Sequence, residues 1–269
     1  MTQTVAVLGT GKIGEALLSG MIRAGWRPED LLVTSRRPER EAELTKRYGV
    51  AAVTNADAAK RADILILAVK PQDMGTLLDE LSPHVTADRL VISAAAGITT
   101  AFIEERLAAG TPVVRVMPNT PVLVDEGMSV ISAGSHAVAE HLSHAEEIFG
   151  GVGKTLRVPE DRQDAATALS GSGPAYFYFL VEAMTDAGIL LGLPRAQAHD
   201  LIVQSAIGAA VMLRDSGEHP VKLREAVTSP AGTTISAIRE LEKHGVRAAL
   251  IAALEAARDR SRELASGNG

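Results

Sequence analysis

The chain has 269 residues, enough for two domains, and its 46% hydrophobic and 22% charged content is that of an ordinary water-soluble protein. A formal net charge of -6 without any lysine-arginine stripe speaks against nucleic acid and anionic membrane as partners. Cysteine is absent, which excludes disulfides, thiolate nucleophiles and cysteine metal sites together and fits a reducing cytoplasm. The opening Met1-Thr2-Gln3 lacks the basic region and cleavage site of a signal peptide, and the longest apolar run, Ile64 to Val69, is far short of a membrane span. A cytoplasmic protein is expected.

In chain order, short β-branched runs alternate with amphipathic stretches up to about residue 158. Strands are predicted at residues 4–8, 31–34, 51–53, 64–69, 90–93, 113–117, 128–132 and 155–158, with helices at 15–24 and 39–48 among them. The unbroken apolar run from Ile64 suits a strand buried on both faces, as in a parallel sheet. Strand–helix alternation predicts a doubly wound α/β Rossmann domain over residues 1–158. Long helical patterns then take over at 175–191, 195–215, 235–243 and 246–265, predicting an all-α domain over residues 159–269. Close alanine spacing lets these helices approach tightly. Apolar residues on more than one helix face point to burial against a second copy of the chain. Trp26 reads as a partly buried anchor after the first helix, and Ser266–Gly269 as a frayed tail.

Directly after the first strand, which ends at Leu8, comes Gly9-Thr10-Gly11-Lys12-Ile13-Gly14. It matches the G-x-G-x-x-G dinucleotide pattern in the strand–turn–helix setting that gives the pattern meaning. Where NAD enzymes place an acidic residue for the ribose 2′-hydroxyl, this chain reads Thr34-Ser35-Arg36-Arg37, a hydroxyl and two guanidiniums suited to a 2′-phosphate. NADPH is the expected cofactor, with NADH as an alternative. Ala68-Val69-Lys70-Pro71 closes the central strand at the edge where such folds bind ligands. Ala95-Ala96-Gly97 is small enough to let backbone reach a dihydronicotinamide. Met117-Pro118-Asn119-Thr120-Pro121 is a stiff loop presenting Asn119 to a carboxamide or ribose.

In the helical half, residues 169–176 (Leu-Ser-Gly-Ser-Gly-Pro-Ala-Tyr) and 228–235 (Thr-Ser-Pro-Ala-Gly-Thr-Thr-Ile) share one design. In each, a proline at the first helical position aims free N–H groups and a positive dipole end forward, a receptor for a small carboxylate that needs no arginine. Two well-capped helices would have the same pattern. His141 and His144 share a helix face but read as solvated surface, and no metal site is expected.

The second loop, its continuation Ile238-Arg239-Glu240-Leu241-Glu242 and the late stretch from Arg258 to Leu264 resemble the signature of pyrroline-5-carboxylate reductases. The glycine loop, Ala68-Val69-Lys70-Pro71, Met117-Pro118-Asn119-Thr120-Pro121 and Gly171-Ser172-Gly173-Pro174-Ala175-Tyr176 match in order and spacing along essentially the whole chain. Ala231 stands where relatives often carry a second glycine. The resemblance implies NAD(P)H-dependent reduction of 1-pyrroline-5-carboxylate to L-proline, the last step of proline biosynthesis. It further implies that Ser229, Gly232, Thr233 and Thr234 hold the substrate carboxylate, that Thr234 lies near the ring nitrogen, that Glu160 lies near bound proline and that Asn55 contacts the adenosine. Homodimers, often built into larger rings, are implied as well. A threonine hydroxyl is a weak acid, so Thr234 is expected to orient the imine and relay a proton. β-Hydroxyacid dehydrogenases share the two-domain plan but place a catalytic lysine on the first long interdomain helix. Residues 175–191 contain none; Tyr176, Tyr178 and Glu182 are the polar choices.

Overall fold

The computed structural model describes residues 3–265; the expected frayed tail at 266–269 lies outside the described residues. In chain order the elements are β1 (Val5–Leu8), α1 (Lys12–Arg23), β2 (Leu31–Thr34), α2 (Pro38–Tyr48), β3 (Ala51–Ala52), α3 (Asn55–Arg61), β4 (Ile64–Leu67), α4 (Met74–Leu81), β5 (Leu90–Ser93), α5 (Thr100–Glu104), β6 (Val113–Met117), β7 (Gly127–Ala133), α6 (Ala139–Gly150), β8 (Gly153–Arg157), α7 (Gln163–Ala166), α8 (Gly173–Leu190), α9 (Arg195–Asp215), α10 (Pro220–Ala226), α11 (Thr233–Lys243) and α12 (Val246–Ala265). No described helix is long and apolar enough to cross a membrane.

The chain divides into two compact units, residues 3–172 with 257–265, and residues 173–256. This differs from the expected break at 158/159, because residues 159–172 and the end of α12 group with the sheet. The Ser261 hydroxyl donates to Asp164 Oδ1 at 2.7 Å, and Leu264 lies against Gly97.

In the first unit the strands run β3-β2-β1-β4-β5-β6-β7-β8, and the first six, all parallel, reproduce the Rossmann order. β7 turns antiparallel to β6 and carries β8 parallel to itself, so the eight-stranded sheet is mixed rather than wholly parallel. The period of two along the strands divides the core. Val5, Val7, Leu31, Val33, Ile64 and Ile66 meet α1 and α6 through Leu17, Leu18, Met21, Ile148 and Phe149. Ala6, Leu8, Leu32, Leu65 and Leu67 meet α3 and α4 through Ala58, Ala59, Met74, Leu77 and Leu78. Trp26 is partly buried against the first of these faces. β4 ends at Leu67 rather than at the expected Val69; Ala68 still donates its N–H to the Leu8 carbonyl at 2.8 Å, and residues 68–70 line a cleft.

The second unit is all helical, as expected. Gly188 of α8 sits against Ala198 of α9, where a Cβ on the glycine would come within 2.7 Å of the alanine methyl. That contact is the close helix approach the small residues permit. Gly192, at φ 93°, ends the turn after α8 in the left-handed region that an L side chain resists.

Candidate active site

A cleft of about 670 Å³ opens at the carboxyl ends of β1, β2 and β4, where the strand order reverses. Gly9, Thr10, Gly11, Ser35, Arg36, Arg37, Asn55, Ala68, Val69 and Lys70, all among the residues that the sequence suggests for a cofactor, line it. The three glycines have different reasons to be glycine. Gly9 has φ 90°, and a Cβ there would stand 2.7 Å from Val69 Cγ1. A Cβ on Gly14 would stand 2.5 Å from the Gly9 carbonyl oxygen, so this glycine lets α1 pack onto the turn. Around Gly11, apart from the adjoining chain, no protein atom lies within 4 Å of that position. The open space faces the start of α1, whose N-cap, Gly11, supplies no side-chain acceptor to the free N–H groups. An anion such as a pyrophosphate fits that cradle.

The loop after β2 is tied to the glycine turn. The Thr10 hydroxyl donates to the Thr34 carbonyl at 3.1 Å, and Arg40 Nε donates to the Thr10 carbonyl at 3.3 Å. Arg40 also pairs with Glu15 in the first turn of α1. Burial pushes the Glu15 carboxyl up, but hydrogen bonds from Arg40 and Tyr48 and the charges of Arg40 and Arg47 outweigh it and hold it below the ordinary glutamate range. The Ser35 hydroxyl accepts the Arg37 N–H at 3.2 Å, which folds the loop, and Arg36 and Arg37 both line the cleft.

Four lining residues went unanticipated: Asp73, Thr76, Leu77 and Glu80. All lie on α4 or the turn before it. The spacing of Met74, Leu77, Leu78 and Leu81 would have revealed that helix. Conversely, Leu8, Lys12, Ile13, Gly14, Pro71, Ala95, Ala96, Gly97 and Asn119 do not line this cleft. Leu8 and Ala95 are core residues, Ile13 packs against the core, and Lys12 lines a separate pocket with Glu15 and Arg47.

Asn119 is already engaged. Its Nδ2 donates to the Ser170 carbonyl at 3.0 Å and its Oδ1 accepts the Met128 N–H at 2.9 Å. This arrangement follows from Pro174, which has no N–H for the carbonyl four residues back, that of Ser170. It also explains why residues 169–176 are not the expected capping loop. Residues 167–171 form a π turn closed by Ser172 N–H to the Thr167 carbonyl (2.9 Å), so α7 runs almost directly into α8.

Glu160 spends both carboxylate oxygens within the protein. One accepts the Thr100 N–H at 2.8 Å and lies 3.3 Å from Nη1 of the buried Arg115; the other accepts the Thr100 hydroxyl at 2.5 Å. The carboxylate thus holds the first residue of α5, just after Ala95-Ala96-Gly97.

In the second unit the 228–235 loop is a tight turn, with Gly232 N–H bonded to the Ser229 carbonyl at 3.1 Å. Pro230 belongs to this turn rather than to the first helical position, since α11 starts at Thr233 with Gly232 as N-cap. Ala231 occupies the left-handed region at φ 57°, the conformation a glycine adopts freely. A Cβ on Gly232 would lie 2.4 Å from the Ser229 hydroxyl oxygen. No side chain caps α11, which leaves its first N–H groups facing out beside Ser229, Thr233 and Thr234.

Among the described residues no three His, Asp or Glu side chains converge as metal ligands. His141 Nδ1 instead accepts the Val138 N–H at 3.0 Å and caps α6.

Residues 160–264 match the family model described as pyrroline-5-carboxylate reductase dimerisation, and residues 4–97 match one described as NADP oxidoreductase, coenzyme F420-dependent. A pyrroline-5-carboxylate reductase of Corynebacterium melassecola is 48% identical over 97% of this chain and 98% of its own length. Among solved structures, a pyrroline-5-carboxylate reductase from Coxiella burnetii superposes with a TM-score of 0.93 at 36% identity, covering 98% of this chain and 99% of that one. The Plasmodium falciparum enzyme, with NADP bound, gives 0.86 at 29% identity over 98% of both chains. By full-length sequence and by fold, the chain belongs to the pyrroline-5-carboxylate reductase family.

Proposed function

We propose that this chain reduces 1-pyrroline-5-carboxylate to L-proline, with NADPH as the preferred reductant and NADH as the weaker one. The observation that carries the reading is 48% identity to a reductase of that name over nearly the full length of both chains. The cleft geometry supports the choice of cofactor. The bound dihydronicotinamide supplies the hydride that the imine carbon accepts. Gly9, Thr10, Gly11 and the free N–H groups of α1 hold the pyrophosphate. Ser35, Arg36 and Arg37 take the 2′-phosphate, and Asn55 and Lys70 border the adenosine and ribose. Ala95-Ala96-Gly97 leaves room for the nicotinamide, while Glu160 acts by fixing Thr100 and so that loop. In the helical unit Ser229, Gly232, Thr233 and Thr234 receive the substrate carboxylate on the N–H groups of α11. The Thr234 hydroxyl hydrogen-bonds the imine nitrogen, which makes the adjacent carbon more electrophilic, and relays a proton to it.

Residues 159–269 serve substrate binding and dimerisation. The match of residues 160–264 to the dimerisation model supports a homodimer, as do Phe177, Phe179, Leu190 and Leu191, each more than 60% exposed in the single chain. Assembly into a larger homo-oligomer is part of the proposal, and the cysteine-free composition suits the cytoplasm.

The test follows loss of NADPH absorbance with pyrroline-5-carboxylate as substrate, repeats it with NADH, and runs the reverse reaction with NADP and 3-hydroxy acids. Imine-dependent oxidation that is faster with NADPH supports the proposal. Oxidation of 3-hydroxy acids without imine reduction would overturn it in favour of a hydroxyacid dehydrogenase, a reading already weakened by the absence of lysine from α8.

A further inference from the structure

We infer that Asp73 is a specificity-determining residue of the dinucleotide cleft: it holds Arg36 away from the 2′-phosphate and so narrows the preference for NADPH over NADH. The inference rests on the cofactor reading above. Arg36 projects from the loop after β2, with its side chain 82% exposed. Its guanidinium is nonetheless engaged by two nitrogens on one carboxylate: Nη1 lies 3.2 Å from Asp73 Oδ1 and Nη2 lies 3.1 Å from Oδ2. Asp73 sits on the turn between β4 and α4, and both residues line the same cleft. Arg37, the next residue, makes no ion pair with any described residue and stands ready for an anion. A second acid on the Asp73 side, Glu80, accepts from Asn55 Nδ2 at 2.7 Å.

The two dinucleotides differ at this corner by a doubly charged phosphate against a hydroxyl. A 2′-phosphate recruits Arg36 only by breaking or sharing the two-pronged pair, and it then lies close to the released carboxylate. A 2′-hydroxyl meets no such repulsion, and the carboxylate is an acceptor for it, the role acidic residues fill in NAD enzymes. Asp73 therefore counteracts the two arginines in one direction and serves NADH in the other. Its position, well beyond the end of β2 where the acid of NAD enzymes is expected, is why the Ser35-Arg36-Arg37 run alone suggests a purely NADP-type corner.

Direct binding to the full-length protein tests this without any turnover. Dissociation constants for NADPH and for NADH are measured by calorimetric titration for the parent, Asp73→Asn, Arg36→Gln and the double variant, at low and high salt, with melting temperatures confirming that each is folded. Asp73→Asn is expected to tighten NADPH about three- to tenfold, leave NADH unchanged or weaker, and lose part of the gain at high salt. With Arg36→Gln already in place, the same change is expected to give less than about half that gain. An unchanged ratio of the two constants, an equal gain for both cofactors, or a full gain without Arg36 would overturn the inference while leaving the cofactor reading intact. A parent protein that binds neither dinucleotide would overturn both.

Discussion

Asn119→Ala tests whether the Asn119 amide serves the protein or a ligand. The substitution removes the 3.0 Å donor to the Ser170 carbonyl and the 2.9 Å acceptor of the Met128 N–H. Pro174 cannot take over the carbonyl, because it has no N–H. A fully buried polar group left unpaired costs about 1–3 kcal/mol. Ser170 and Met128, whose groups are orphaned, are half-buried, so water recovers part of this and the lower end applies to each group. Two such groups give a loss of about 2 kcal/mol, or a fall in Tm of roughly 4–8 °C for a domain of this size. Asn119→Asp keeps the acceptor and loses the donor, so it is expected to recover the Met128 share but not that of Ser170. Urea unfolding followed by circular dichroism measures both, and NADPH titration of the same variants reports on the cofactor. A loss below about 0.5 kcal/mol for the alanine variant, alongside a tenfold weaker NADPH, would refute the structural reading and restore Asn119 to the cofactor.

Gly14→Ala is expected to destabilise by about 1–3 kcal/mol, because its Cβ would press on the Gly9 carbonyl. Gly11→Ala should melt within a degree or two of the parent yet bind NADPH at least about tenfold more weakly, since only a ligand fills the space at that position; equal effects on melting would contradict this division of roles. Thr234→Ala should lower turnover substantially while NADPH binding survives, and unchanged steady-state kinetics would remove the hydroxyl from the mechanism. The Glu15 carboxyl is held below its ordinary value of 4.5. Its stabilisation is therefore complete above the unfolded value and lost as pH falls through the folded one, so the parent's stability advantage over Glu15→Gln at neutral pH should shrink steadily below pH 4.5. Ala231→Gly relieves a left-handed alanine worth about 1–2 kcal/mol, offset by about 0.4–1 kcal/mol of added chain entropy, for a small net stabilisation measurable by urea unfolding.

The central strands were legible because they are buried on both sheet faces, so that Leu31–Thr34 or Leu90–Ser93 reads as an apolar run whatever packs on it. The glycine turn was legible because its constraint is local: Gly9 and Gly14 are required by backbone that lies within a few residues or on the next strand. Short helices were harder. α4 offers only two turns of period, and missing it hid Asp73, Thr76, Leu77 and Glu80 as lining residues. The engagement of Asn119 with Ser170 and of Glu160 with Thr100 could not be read at all, because these partners lie 51 and 60 residues away. A polar side chain in a stiff loop looks equally available for a ligand and for a distant carbonyl. The two proline loops looked alike in sequence, yet one became a π turn between helices and the other a tight turn before α11. The difference lies in where each helix starts relative to its proline, which pattern alone leaves open.

The return of α12 to the first unit has a consequence for how the chain is made. Residues 173–256 are in effect an insertion, so the segment that completes the sheet-bearing unit is synthesised after them. Until residues 257–265 emerge, Asp164 lacks the Ser261 hydroxyl and the left-handed Gly97 turn lacks Leu264 beside it. The proposed nicotinamide loop therefore acquires its backing only after the whole helical unit has been synthesised.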